Sequence, residues 1–260
     1  MALNTLDHYV LPVRDIKLVL LENPKNEFGD AEVIEQNFER FVAEHPGVYD
    51  GPLIGISKND VPTKPIDRIT LNVFVGSYSQ MVASQMNVGG SDFVSLGSCG
   101  LTSFQEDGER YFVFGNRKES KSIGGSIDFL PAGSFDRKDF DNGNPALECL
   151  VRELREELLV YSGGITSASM GYFFAPDFSQ MAAMFISEIP ALKLRDTTDF
   201  SHNGVYMIDK SNSEEHRGIY AVKEVALEDF ALQHSDNIGP RNALLLNCYS
   251  EGKKWRKQLY

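Results

Sequence analysis

Residues 152–157 of the chain read Arg-Glu-Leu-Arg-Glu-Glu. In an α-helix Glu153, Glu156 and Glu157 stand at i, i+3 and i+4, so their carboxylates share one face within a single turn. A short loop upstream, an apolar, strand-like run through Ile127, Phe129, Leu130, Pro131 and Ala132 ends on Gly133. Oxygen-rich side chains converging beside a glycine loop are the ligand set that a hard divalent cation such as Mg²⁺ requires. The pattern points to metal-dependent chemistry on phosphates.

A helix must carry those carboxylates, and the sequence supplies one. Asn144 suits an N-cap and Pro145 the first helical position. Ala146, Leu147, Leu150, Val151, Leu154 and Leu158 form an apolar stripe, with the carboxylates expected about 100° to one side of it. Before this helix, residues 93–104 and 111–115 read as strands joined at Glu106-Asp107-Gly108, and residues 127–130 as another. After it, strands are expected at 170–174, 181–187 and 204–208, with helices near 227–232 and 241–250. Toward the N-terminus, 9–13 and 16–21 read as a hairpin or a pair of strands. Residues 32–44 read as a helix stopped by His45-Pro46-Gly47, and 53–56 and 69–75 as strands. The polar stretch 87–92 is the best boundary. It divides an N-terminal α/β extension (1–90) from a second domain (91–260) in a mixed α/β chain.

The 260 residues, 42% hydrophobic, suffice for a sizeable core. A net charge of −12 argues against a nucleic-acid surface, because phosphate-backbone binding needs a basic stripe. A phosphate ligand must then be small and held by a metal or a few placed cations. Cys99, Cys149 and Cys248 show no paired spacing, so buried thiols are expected rather than disulfides or a zinc site. No apolar run reaches the ~18 residues of a membrane span. Asp7, Pro12, Arg14 and Asp15 break any signal-peptide core. A cytoplasmic protein with no membrane or nucleic-acid partner is the expectation. The oligomeric state is left open, a homodimer being compatible with the sequence.

Gly133, the polar loop, and Arg152-Glu153-Leu154-Arg155-Glu156-Glu157 resemble the box of the Nudix hydrolases, G-x5-E-x7-R-E-U-x-E-E-x-G-U with U a bulky apolar residue. Leu158 fills the unrestricted place and Val160 the last apolar one. Three positions depart from the box. Ten residues separate Gly133 from Asn144 where the box has five. Asn144 replaces the first glutamate. Leu159 replaces the closing glycine, with Gly163-Gly164 as substitute caps. The resemblance implies a Nudix fold, with a mixed sheet flanked by helices and a strand-rich N-terminal extension. It implies Mg²⁺, or Mn²⁺ in its place, held by Glu156, Glu157 and the Gly133 carbonyl. Glu153 would be a further ligand or the base acting on water, and Arg152 a brace for the carboxylates. A last acid from a late loop is also implied, with Glu188, Glu214 and Glu215 as candidates.

The same six residues have a plainer explanation as a solvated helix face on which Arg152 and Arg155 offset the glutamates. Repulsion at i, i+4 costs only ~0.2–0.5 kcal/mol, so energetics does not decide between the two. The order of strand, Leu-Pro-Ala-Gly, loop, cap, stripe and acidic cluster favours a site.

Segments 45–53, 69–74, 95–102 and 112–117 are similar to those of the Nudix proteins that cleave UDP-glucose. That similarity implies cleavage of a nucleotide sugar to a nucleoside monophosphate and a sugar phosphate. ADP-ribose or a dinucleotide is the alternative substrate, and a Nudix-fold nucleotide binder with weakened catalysis the alternative role. Arg117, Lys118 and Lys121 are candidates for the diphosphate oxygens, or else an exposed basic loop. Tyr172, Phe173 and Phe174 offer rings to a nucleobase, or else pack in the core.

Overall fold

Strand and helix signals alternate along the whole chain, and the structure answers them with a mixed α+β fold in which a mixed sheet is flanked by helices. It is a computed structural model. Residues 9–11, 15–21, 28–61, 68–118, 127–158, 167–175, 180–196, 204–208 and 216–238 are described, together with 242, 246 and 249. In chain order the first half runs β1 (Tyr9–Leu11), β2 (Asp15–Leu20), α1 (Ala31–Glu44), β3 (Pro52–Ser57), β4 (Arg68–Ser77), α2 (Tyr78–Gln85), β5 (Phe93–Glu106) and β6 (Glu109–Arg117). The second half adds β7 (Ile127–Phe129), β8 (Ala132–Ser134), α3 (Pro145–Leu158), β9 (Ser167–Ala175), β10 (Gln180–Glu188), β11 (Leu194–Asp196), β12 (Val205–Ile208), β13 (His216–Lys223) and α4 (Leu227–Gln233). No described helix is long and apolar enough to cross a membrane.

The chain divides into two compact units: residues 1–98, 133–149 and 170–183, and residues 99–132, 150–169 and 184–260. In the first, β2 lies parallel to β4, while β3 runs antiparallel to both β4 and β5. β1 and β2 are a pair of strands but not a hairpin, because β1 pairs with β9 instead. Helix α1 starts where Asp30 accepts hydrogen bonds from the Glu32 and Val33 N–H groups at 3.1 and 3.2 Å. Helix α2 was not expected from apolar periodicity. A capping box starts it: Gln80 N–H donates to Ser77 Oγ, and Ser77 N–H donates to Gln80 Oε1. The core under these helices is aromatic, with the Phe28 ring edge-on to Phe93 at 5.1 Å and Phe38, Phe41 and Tyr78 beside it.

In the second unit the hairpin between β5 and β6 turns at Asp107 and Gly108. Both have positive φ (51° and 80°), as a two-residue hairpin loop demands. Antiparallel pairing then runs from β6 to β13, β12 and β11, with β7 also on β6. β11 and β13 lack clean alternation and were not read from the sequence. Phe112, Phe114 and Phe129 are fully buried, and Phe230 of α4 meets Phe114 at 5.0 Å. Cys99 and Cys149 are free and buried, while Cys248 lies outside the described residues.

Phe93→Ala should cost about 3–5 kcal/mol, because the ring is fully enclosed and its neighbours cannot all collapse into the void. Val225→Ser, at a side chain almost wholly in solvent, should change stability by less than about 0.5 kcal/mol. Urea denaturation of the two variants beside the parent checks the contrast.

Candidate active site

Helix α3 begins as its sequence dictates. Asn144 Oδ1 accepts from the Leu147 N–H at 3.3 Å, the Asn144 carbonyl takes the Glu148 N–H at 3.0 Å, and Pro145 occupies the first turn. Ala146, Cys149, Leu150, Leu154 and Leu158 are buried. The Ser98 hydroxyl donates to the Ala146 carbonyl at 2.7 Å.

The three glutamates do not share one environment. Arg152 Nη1 lies 2.5 Å from Glu153 Oε1 and 3.5 Å from Glu156 Oε2, so one guanidinium spans both carboxylates. The Arg152 and Glu153 side chains are only 15% and 13% exposed, whereas Glu156 is 55% exposed. Glu157 is 8% exposed and its Oε2 accepts from the Ala132 N–H at 3.4 Å. At 100° per residue Glu157 projects within about 20° of Leu150, seven positions earlier. It therefore belongs to the buried stripe rather than 100° to one side, as the sequence had suggested. A carboxylate in that position must be met by donors, and a backbone N–H supplies one.

Gly133 follows Ala132 in β8 and belongs to the first unit. Its carbonyl accepts from Cys149 Sγ at 3.6 Å, as does the Ser134 carbonyl. On β5, Gly97 runs so close beneath that a Cβ there would collide with the Gly133 carbonyl oxygen. Likewise, in the second unit, a Cβ at Gly100 would crowd Pro131 and Leu150 at 3.0 and 3.1 Å. These two glycines of the 95–102 segment, and Cys149, were not singled out by sequence reasoning. Their signal was a pair of glycines within a strand otherwise rich in core residues.

Hard carboxylate oxygens suit a divalent cation in kind. As the side chains lie, they are turned to Arg152 and to the Ala132 N–H. Among the described residues no group of three or more His, Cys, Asp or Glu is gathered so as to hold a metal ion.

Arg117 stands at the end of β6, where its Nη1 meets Asp128 Oδ2 at 3.0 Å. Asn242 Nδ2 donates to Asp128 Oδ1 at 3.2 Å and to the Ile127 carbonyl at 3.0 Å. Arg117 is thus engaged by a carboxylate that is itself held in place. Lys118 follows it half-buried. Phe173 stands in β9 opposite Val10 of β1. Lys121, Leu159, Val160, Gly163, Gly164, Glu214 and Glu215 lie outside the described residues.

Glu188, at the end of β10, accepts from Gln105 Nε2 at 3.2 Å and faces Arg110 Nη2 at 3.5 Å. Burial lowers the pKa of the Arg110 guanidinium, but the Tyr249 hydroxyl, Glu188 and Glu224 outweigh that and raise it. Glu188 therefore faces a permanent cation. The Gly100 N–H donates to the Pro131 carbonyl, next to Ala132. Gln105 lies five residues further along β5, about 16 Å at the rise of a strand. Glu188 belongs to that far end and does not reach Glu157.

No protein-family model matches the chain, and no curated protein matches it. Two solved structures resemble part of it. One is an Ap4A hydrolase from C. elegans in a binary complex, 14% identical, covering 61% of this chain and 97% of its own, with a TM-score of 0.39. The other is the solution structure of the E. coli ORF135 protein, 16% identical, covering 63% of this chain and 94% of its own, with a TM-score of 0.36.

Gly97→Ala should lower stability by about 1–3 kcal/mol, because two backbones in contact have no flexible side chain to give way. Gly108→Ala meets no neighbouring atom but has φ of 80°, so about 1 kcal/mol of backbone strain is its whole expected cost. Denaturation midpoints rank the two. A crystal structure of the first variant should show the Gly133 carbonyl displaced.

Proposed function

We propose that this chain is a divalent-metal-dependent diphosphatase of the Nudix kind, with residues 1–90 as an extension to a hydrolase domain spanning 91–260. The observation that carries the reading is the burial of Glu157 within the stripe of α3, beside two carboxylates drawn together by one arginine. A helix selected only for packing would place an apolar residue there. Glu156, Glu157 and the Gly133 carbonyl would hold Mg²⁺, or Mn²⁺ in its place, with Glu153 as a further ligand or the base for water. The ion, when bound, neutralises diphosphate oxygens and lowers the pKa of its water.

The chain's own residues set the geometry. Arg152 limits the rotamers of Glu153 and Glu156, the Ala132 N–H fixes Glu157, and Glu156 reaches solvent, where a substrate arrives. The surface is acidic, so positive charge at the diphosphate comes from the ion together with Lys118 and Lys121. The substrate we propose is a nucleotide sugar such as UDP-glucose, cleaved in the cytoplasm to a nucleoside monophosphate and a sugar phosphate. The similarity of segments 45–53, 69–74, 95–102 and 112–117 to UDP-glucose-cleaving proteins supports it. Phe173 is proposed to stack on the base. A second reading, a nucleotide binder with weakened catalysis, is favoured by Asn144, whose neutral amide stands where the box has an acid and serves as a helix cap.

Purified protein with Mg²⁺ or Mn²⁺ should release both products from UDP-glucose faster than from ADP-ribose or diadenosine polyphosphates, and chelation should stop it. Glu156→Gln and Glu157→Gln should each lower kcat by about a hundredfold or more, and Arg152→Ala by about tenfold, since it removes only the brace. Absence of turnover on the whole panel with either metal would sink the enzyme reading. Nucleotide affinity measured on the same protein by calorimetry would then establish the binder.

A further inference from the structure

The first unit holds a cavity of about 640 Å³, built from residues of that unit alone: the segment entering α1, α1 itself, the end of β4 and the start of α2. Its size falls in the range of small-molecule sites, and part of its wall is apolar surface left in water. Val75 is 42% exposed there, although it sits in a strand. Phe28 and Phe38 line the same space and are held from behind by other rings, Phe74 at 5.8 Å and Tyr78 at 6.1 Å respectively.

The polar part of the lining has one sign. Glu35 and Glu39 stand one turn apart on α1, and Asp50 adds a third carboxylate, while no lysine or arginine lines the cavity. Among the described residues neither Glu35 nor Glu39 forms a salt bridge. Asp50 is a fixed charge, because its two oxygens accept from the Ser79 N–H and hydroxyl, each at 2.8 Å. Like charges at i, i+4 repel, and a cation between them removes that penalty. A phosphate-bearing molecule is repelled by the same three groups, so this is not a place for a nucleoside diphosphate.

We propose that this cavity binds a small organic cation, an ammonium group carried on an apolar body. The body would lie against Phe28, Phe38 and Val75, whose ring faces also attract a cation. The ammonium would meet Glu35 and Glu39. The site is independent of the hydrolase reading, and a protein without pyrophosphatase activity would still bind such a ligand.

Calorimetric titration of the full chain with 2-phenylethylammonium, 2-phenylethanol and phenylacetate tests this. The amine should bind saturably and about tenfold more tightly than the alcohol, while phenylacetate should show no binding. The double variant Glu35→Gln/Glu39→Gln, altered only at exposed positions, should keep the parent's denaturation midpoint. It should weaken the amine about fivefold and leave nucleotide hydrolysis unchanged. Phe38→Ala should weaken amine and alcohol alike. Equal affinity for amine and alcohol, no saturable binding of the amine at millimolar concentration, or undiminished amine binding by the double variant overturns the proposal.

Discussion

A carboxylate cannot be taken out of water unless donors wait for it, and Glu157 imposes that condition on everything around it. Its donor is the Ala132 N–H, so the chain leaving β7 has to be held beside the last turns of α3. That hold is built from both sides. Asn242 ties the Ile127 carbonyl and Asp128, while the Gly100 N–H takes the Pro131 carbonyl at 2.8 Å. Gly100 can do so because it has no side chain to keep Pro131 and Leu150 away. The glutamate and its donor are thus both anchored to regular elements, the condition under which a polar group can be aimed rather than merely tolerated.

Charge is scarce in the positive sense on this protein, which carries −12 overall, and the few cations near α3 are already engaged. Arg152 is shared by Glu153 and Glu156, and Arg117 faces Asp128. The sequence offered Arg117 as a phosphate contact; the structure gives it an internal carboxylate that would have to be given up first. A double negative charge arriving here therefore gains little from the protein's own side chains. This is the physical reason to look to a divalent ion rather than to a basic patch.

The sequence displayed the frame of the fold well where one signal dominated. The helix over α1 was visible because Val33, Ile34, Phe38, Phe41 and Val42 recur at one period, and α3 because cap, proline and stripe agree. Helix α2 was hidden because its apolar residues are buried all round, so the Ser77–Gln80 box was its only mark. Strand β1 gave no sign of its partner, since β9 lies far along the chain and register is a tertiary fact. At the site, the identity of the glutamates was legible and their inequality was not. Periodicity placed Glu153, Glu156 and Glu157 on one face, but which of them is buried depends on what lies opposite, here Leu150's neighbours and the Ala132 N–H. Glu188 failed as a late-loop acid for a similar reason. Its position five strand residues away from the Ala132 level follows from the pairing of β10 with β5, which no local pattern encodes.

The departure at Asn144 divides into two separate roles once the helix is seen. A first-turn acid in the box position would serve both the helix start and any bound cation. As a cap, Asn144 loses nothing: its amide oxygen takes the Leu147 N–H, and Glu148 provides the negative charge that the helix N-terminus favours. As a ligand or base, a neutral amide brings no charge and accepts no proton near neutral pH. Folding therefore exerts no pressure to restore the acid. Whatever electrostatic work that acid would have done at the metal falls to Glu153, Glu156 and Glu157, and Glu157 is the one of the three that solvent screens least.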